Sequence, residues 1–278
     1  MKPGDLGRAM ALSTAEGWNQ TEKDWKLFLE NDGNICIVAE SDSKVVGTTT
    51  AINYSNHIAW IGMVLVDKDY RGRGISKALL TSVLKNLERC KSIKLDATPA
   101  GQQVYRQLDF RDEYLIARMT ISSLKDLSFF ENGSHLPELV HNSDHPQVIA
   151  LDENCFGSNR AKLIGSLLKD FPGKAWMLKQ NNAITGFALG RDGNRYHHIG
   201  PLVASSPDEA KMLLAAALKK LIGQPVVVDV LEDKEELIRW LTEIGFTIQR
   251  HFTRMYKKEN PLPGLPGRQY LICGPEFG

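Results

Sequence analysis

Between residues 64 and 80 the chain reads VLVDKDYRGRGISKALL. An apolar run passes through an acidic turn into two arginines alternating with two glycines, and then into a helical pattern. Arg71 and Arg73 supply positive charge and donors, while Gly72 and Gly74 bare the backbone and tolerate positive φ. Amides in the first turn of a helix lack intrahelical partners, and the helix dipole places partial positive charge beside them. A loop of this kind between strand and helix predicts a cradle for phosphate or pyrophosphate over residues 71–76. The G-x-x-x-x-G-K-[ST] loop is absent, and Gly72-x-Gly74 is followed by Ser76 and Lys77, which breaks G-x-G-x-x-G. By itself the loop reads more readily as a solvated basic turn capping a helix.

The cradle needs a strand before it and a helix after it. HIAWIGMVLV, apolar at nearly every position, reads as a central strand covered on both faces. ISKALLTSVLKNLERC places Ile75, Leu79, Leu80, Val83, Leu84 and Leu87 on one helical stripe. Upstream, TEKDWKLFLEND spaces Trp25, Phe28 and Leu29 as an amphipathic helix, and ICIVAES and KVVGTTTAINYS flank Asp42-Ser43 as a hairpin. Downstream, SIKLDAT predicts a strand, AGQQVYRQL a short helix and YLIARMTI a closing strand. The fold class is α/β or α+β, with helices flanking a mixed, mostly antiparallel sheet.

With 278 residues, the chain suits two domains of about 140 each. Its net charge of +1 gives no field to draw the whole molecule onto nucleic acid or a membrane, so any anion is held locally. No apolar run reaches the length of a membrane span, and MKPGDLGRAMALSTAEGWNQ lacks the apolar centre of a secretion signal. Cys36, Cys90, Cys155 and Cys273 are scattered, which predicts reduced thiols, no metal site and a cytoplasmic setting. His135, His141 and His145 fall in SFFENGSHLPELVHNSDHP, whose composition predicts a solvated linker on which Phe129 and Phe130 could pack.

The second half echoes the first. Gly47 matches Gly186, Ile61-Gly62 matches Ile199-Gly200, Asp96 matches Asp229 and Phe110 matches Phe246, at offsets between 133 and 139 residues. RQYLICGPEFG, after NPLPGLPG, reads as one more strand.

The order helix, hairpin, GMVLVDKDYRGRG, long helix, strand, short helix with tyrosine and final strand resembles the GCN5-related N-acetyltransferase (GNAT) family. Its [QR]-x-x-G-x-[GA] motif stands here as Arg71-Gly72-Arg73-Gly74-Ile75-Ser76, with the small Ser76 in place of Gly or Ala. The opening strand usual in the family is clipped or very short before MKPGDL. The resemblance implies an acyl-CoA donor, acetyl-CoA by default, with its pyrophosphate on residues 71–76. Its pantetheine would lie along Val64-Leu65-Val66, where a splayed strand frees backbone groups for it and for the thioester oxygen. YRQLDF resembles the family's Y-x-x-x-G-F with Asp109 replacing glycine, which implies that Tyr105 protonates the departing thiolate; a phenol is protonated at neutral pH. A tyrosine packed on the sheet with its hydroxyl bonded is the plainer alternative.

In the second copy VASSPDEAKMLL lacks the arginine-glycine loop, Asp208 and Glu209 would repel a pyrophosphate, and Leu241 stands in the place of Tyr105. Three segments follow: an acyl-CoA-binding catalytic domain over 1–122, a linker over 123–140, and a degenerate domain over 141–278 that helps wall the acceptor pocket. Trp176, Arg191, Tyr196, His197 and His198 are the unusual residues of that half. The histidine pair is expected at the surface, and Trp176 and Trp240 in the core. No cysteine sits by the motif, so a neutral amine is expected to attack the thioester directly. His57, Asp96 and Asp229 are the available bases, each with a structural alternative. The expected acceptor is a small-molecule amine handled by a monomer or homodimer. A protein lysine or N-terminus, a non-catalytic acyl-CoA sensor and, least of all, a nucleic-acid binder are the alternatives.

Overall fold

A computed structural model describes residues 1–31, 33–125, 136–260 and 263–278. Phe129, Phe130 and His135 of the expected linker lie outside the described residues. The first half runs α1 (Leu6–Ala15), α2 (Glu22–Leu29), β1 (Ile35–Ser41), β2 (Lys44–Tyr54), β3 (Ile58–Val66), α3 (Ile75–Asn86), β4 (Ser92–Ala97), α4 (Pro99–Arg106) and β5 (Arg111–Ile121). The second runs β6 (Glu138–Leu139), α5 (His145–Phe156), α6 (Ala161–Asp170), β7 (Trp176–Gln180), β8 (Ala183–Arg191), β9 (His197–Val203), α7 (Pro207–Lys219), β10 (Val226–Leu231), α8 (Glu235–Glu243), β11 (Thr247–Lys258) and β12 (Gln269–Leu271).

Local chemistry explains the main elements. Thr21 caps α2 and Asp24 reaches back to the Thr21 amide at 2.7 Å, so the helix starts where it can bury Trp25 and Phe28. Asp42 and Ser43 both take positive φ, the two-residue turn whose twist suits a β1–β2 hairpin. The amino-terminal segment, which sequence reading left without an element, forms α1. Only Ala9, Leu12 and Ser13 of α1 are buried, too sparse an apolar stripe to stand out in sequence.

The repeat is real in three dimensions. A Cβ on Gly47 would press on the Leu65 carbonyl and Leu79; one on Gly186 would press on the Val203 carbonyl and Leu213. Each half builds the expected mixed sheet flanked by helices, but the two sheets are one. The strands run β1-β2-β3-β4-β11-β5-β10-β12-β9-β8-β7-β6. β11 of the second half lies between β4 and β5 of the first, and β5 lies between β11 and β10 of the second. The halves have exchanged their last long strands.

Two buried ion pairs pin the exchange. Arg254 on β11 faces Asp96 on β4 and holds both its oxygens at 2.8 Å. At the equivalent place Arg118 on β5 faces Asp229 on β10 at 2.7 and 2.8 Å. Each arginine belongs to the opposite half from its aspartate. Burial pushes the Asp229 carboxyl up, yet Arg118 and then His198 pull it further down, so it ends below the ordinary carboxylate range. No helix among the described residues is long and apolar enough to cross a membrane.

Candidate active site

The site begins with a defect in β3. Pairing with β2 passes from Thr50↔Gly62 to Thr48↔Leu65, so Met63 and Val64 together oppose Thr49. Met63 takes φ of 51°, and its carbonyl accepts the Thr48 hydroxyl at 2.8 Å. A bulge bends its strand. Parallel pairing of β3 with β4 ends at Trp60↔Lys94, and beyond it the strands part.

A 670 Å³ groove runs along that opening, lined by Val64, Leu65, Val66, Arg71, Gly72, Gly74, Ile75, Ser76 and Tyr105 among others. Every predicted cradle position lines it except Arg73. Gly72 and Gly74 both sit at φ +76°, and a Cβ on either would meet no protein atom within 4 Å. Their glycine is thus a matter of backbone conformation and of space left for a ligand. Among the described residues the amides of 72–76 have no acceptor, and Gly72, Gly74, Ile75 and Ser76 line the groove. The arginines are less available than their sequence suggests. Arg71 ion-pairs with Glu16 at 2.6 Å and bonds the Val66 carbonyl; Arg73 lies over the Tyr70 ring and bonds the Asp69 carbonyl.

At its inner end the groove meets a 90 Å³ chamber between β3 and β4, and Trp18, Val64, Thr98, Tyr105 and Arg250 line both. Tyr105 projects from α4 over Gly101, where a Cβ would come within 2.9 Å of its ring, and meets Phe110 edge-on at 5.9 Å. Burial pushes its phenol up to about 12, so it stays protonated at neutral pH. No cysteine lines the groove or the chamber.

The second half walls the chamber with Arg250, Phe252, Pro275 and Glu276. None of these was singled out in the sequence, and the residues that were lie elsewhere. Trp176 and Trp240 are core. Arg191 is buried and binds Asp24, Glu276 and the Cys273 carbonyl; His197 meets Asp192 and Lys174. The Tyr196 carbonyl accepts from Asn19. His198 corrects an expectation: it is 1% exposed and 3.3 Å from Asp229, because neighbours on a strand face opposite sides and its side faces the core. The base candidates fare likewise. His57 is exposed on the β2–β3 turn and lines neither space, and Asp229 is held by Arg118. Asp96 lines the chamber with both oxygens taken by Arg254.

The second copy has a matching gap with a different fate. β9 and β10 pair in parallel over His197–Ile199 and Val226–Val228, then part as β3 and β4 do. Into that gap goes β12, paired to β9 through Gln269 and Leu271 and to β10 through Leu271. Leu241 is fully buried where Tyr105 would be, and Glu209 accepts the Ser205 amide at the start of α7. In this half the chain's own β12 fills the equivalent opening.

The sequence matches the acetyltransferase (GNAT) domain over residues 11–114 and, through a second such domain description, over residues 148–271. It is 23% identical over 251 residues to holothin acyltransferase from Pseudoalteromonas sp. (strain SANK 73390), spanning 89% of this chain and 83% of that relative. The fold is similar to a Pyrococcus horikoshii crystal structure, of a protein named for a proposed acetyltransferase activity, at TM-score 0.82 and 22% identity over 100% of this chain and 94% of that one. It is also similar to a tandem GNAT protein from the clavulanic acid biosynthesis pathway, at TM-score 0.61 and 14% identity over 93% and 96% of the two chains. With an acetyltransferase (GNAT) domain matched in each half, the chain belongs to the GNAT family as a tandem, GNAT-type acyltransferase.

Proposed function

We propose that this protein transfers an acetyl group from acetyl-CoA directly to a primary amine of a small molecule. The carrying observation is one continuous path: unpartnered amides at residues 72–76, a groove along Val64–Val66, Tyr105 at the throat, and a small chamber beyond it. The amides hold the pyrophosphate, with Arg71 at the rim; the free edge of β3 takes the pantetheine as an added strand and polarises the carbonyl. The amine attacks from the chamber, and Tyr105 gives its proton to the sulfur. A chamber of 90 Å³ favours a small amine over a folded polypeptide.

Thiol release from acetyl-CoA across a panel of amines tests the reading; no release with any amine, peptides included, would refute it. Two variants divide its parts. Gly72→Val with Gly74→Val is expected to weaken acetyl-CoA binding at least tenfold by calorimetry, since positive φ costs a β-branched residue about 1–2 kcal/mol at each position and a side chain would stand over the amides. Tyr105→Phe is expected to leave that affinity unchanged and lower kcat about a hundredfold, within the usual range for losing a general acid. An unaltered kcat would return Tyr105 to a packing role.

A further inference from the structure

The chamber holds two groups that the fold leaves unsatisfied. Glu276, 3% exposed, lines it; Arg191 donates to Oε1 at 2.6 Å, while the buried Oε2 has no hydrogen-bond partner. Gln20, also buried and also lining it, has an Oε1 without a partner. These are two acceptor oxygens awaiting a donor. Arg250 supplies the opposite need. It is half-buried at the throat, and among the described residues no hydrogen bond or ion pair engages its guanidinium. Directly across the ladder stands Arg118, so two cations are cross-strand neighbours, an arrangement that is destabilising by itself. Arg118 is committed to Asp229 through Nε and Nη2, and Asp96 to Arg254, so neither makes a hydrogen bond to Glu276 or Arg250. Burial and the nearness of Arg118 lower the Arg250 pKa, the direction expected of a cation missing its anion.

We propose that the acceptor is a small amino acid or a similarly built amine, whose ammonium enters the chamber against Glu276 and Gln20 and whose carboxylate is held at the throat by Arg250. An unpaired buried carboxylate oxygen and an unpaired guanidinium are both costly, and one zwitterion satisfies both. The chamber, at 90 Å³, has room for an amino group and a few carbons. Glu276 then has a chemical part. Its Oε2 takes one proton from the ammonium; the neutral nitrogen attacks the thioester carbon, forming C–N as C–S breaks. As the tetrahedral species collapses Tyr105 gives its proton to the sulfur and regains one from the nitrogen's second proton, while the proton on Glu276 passes to solvent. Ammonium and thioester become amide, thiol and one released proton.

This inference rests on the acetyl-transfer reading, and the experiment separates the two. The full chain is assayed for thiol release with acetyl-CoA and matched acceptors: amino acids against the amines left by removing the carboxyl group, such as phenylalanine against phenethylamine and ornithine against putrescine. The expected result is a preference for the amino acids of about 10- to 100-fold in kcat/KM, the worth of a charge-assisted hydrogen bond. Arg250→Met should erase that preference by raising the amino-acid KM while leaving the acetyl-CoA affinity in calorimetry unchanged. Glu276→Gln should slow both acceptor series about a hundredfold, and an unchanged unfolding midpoint shows that Arg191 is still satisfied. Equal rates for the two series would overturn the proposal. So would turnover with neither while acetyl-CoA still binds, or an Arg250→Met defect that falls on acetyl-CoA alone. Failure of acetyl-CoA to bind at all would instead refute the functional reading beneath it.

Discussion

Replacing Arg254 with methionine is expected to destabilise the protein by about 3–5 kcal/mol, the cost of stranding one member of a buried ion pair. Arg254 is 2% exposed, binds both oxygens of Asp96, donates to Tyr114 and lies 4.4 Å over the Trp60 ring. Methionine fills similar space and leaves Asp96 with no counter-charge. Burial already pushes the Asp96 carboxyl above its ordinary value, against the pull of Arg254. Without the guanidinium that carboxyl is expected to take up a proton in the folded state. An unfolded aspartate titrates near about 3.9, so above that pH the folded variant holds a proton that the unfolded chain has lost. Stability then falls as pH rises through the raised folded value. Urea midpoints should show a larger deficit against the parent at pH 8 than at pH 5. Adding Asp96→Asn should restore much of the loss, because the stranded charge and not the missing contact dominates. A single variant equally destabilised at both pH values would contradict the account.

Cutting the chain in two should be more severe still. Among the described residues β5 pairs only with β10 and β11, both from the second half, and β11 only with β4 and β5, both from the first. A fragment of residues 1–125 therefore leaves β5 without a neighbour, and a fragment of 136–278 does the same to β11. Ile116, Ala117 and Met119 on β5 and Phe252 and Met255 on β11 are buried in the exchanged sheet. An unpaired strand with an apolar face is a template for association. Neither fragment should exist as a folded monomer, whereas the two made together should elute as one species with the parent's circular dichroism. A monomeric 1–125 that unfolds cooperatively would refute this. The same geometry means that acceptor binding cannot be assigned to the second half by deleting it.

The fold was legible where a single element shows its own period. The run HIAWIGMVLV and the stripe from Ile75 to Leu87 required only alternation and helical spacing, and Gly72 and Gly74 take the positive φ that their residue type allows. The repeat was legible too, in the match of Gly47 with Gly186 and of Asp96 with Asp229. The exchange of strands was not, because YLIARMTI pairs equally well with its own half or the other; partner choice rests on Arg118 and Arg254 meeting aspartates far away in sequence. The chamber was half hidden for the same reason. Tyr105 belongs to a local motif, whereas Arg250 and Glu276 gain meaning only once β11 and the final residues are laid against β3. A faint signal existed in GPEFG, an acid set between glycines and an aromatic residue, and in an arginine two positions ahead of Phe252.

The last fifteen residues bind the fates of the two copies together. The chain that occupies the breach between β9 and β10 continues past Cys273 and presents Pro275 and Glu276 to the first half's chamber, where Trp60 bonds the Pro275 carbonyl. Writing an arginine-glycine loop into α7 would not open a groove in the second half, since β12 would first have to be evicted, and eviction would withdraw a wall from the chamber of the first. Duplication gave this protein two vessels; its tail sealed one to finish the other, and the step runs in one direction.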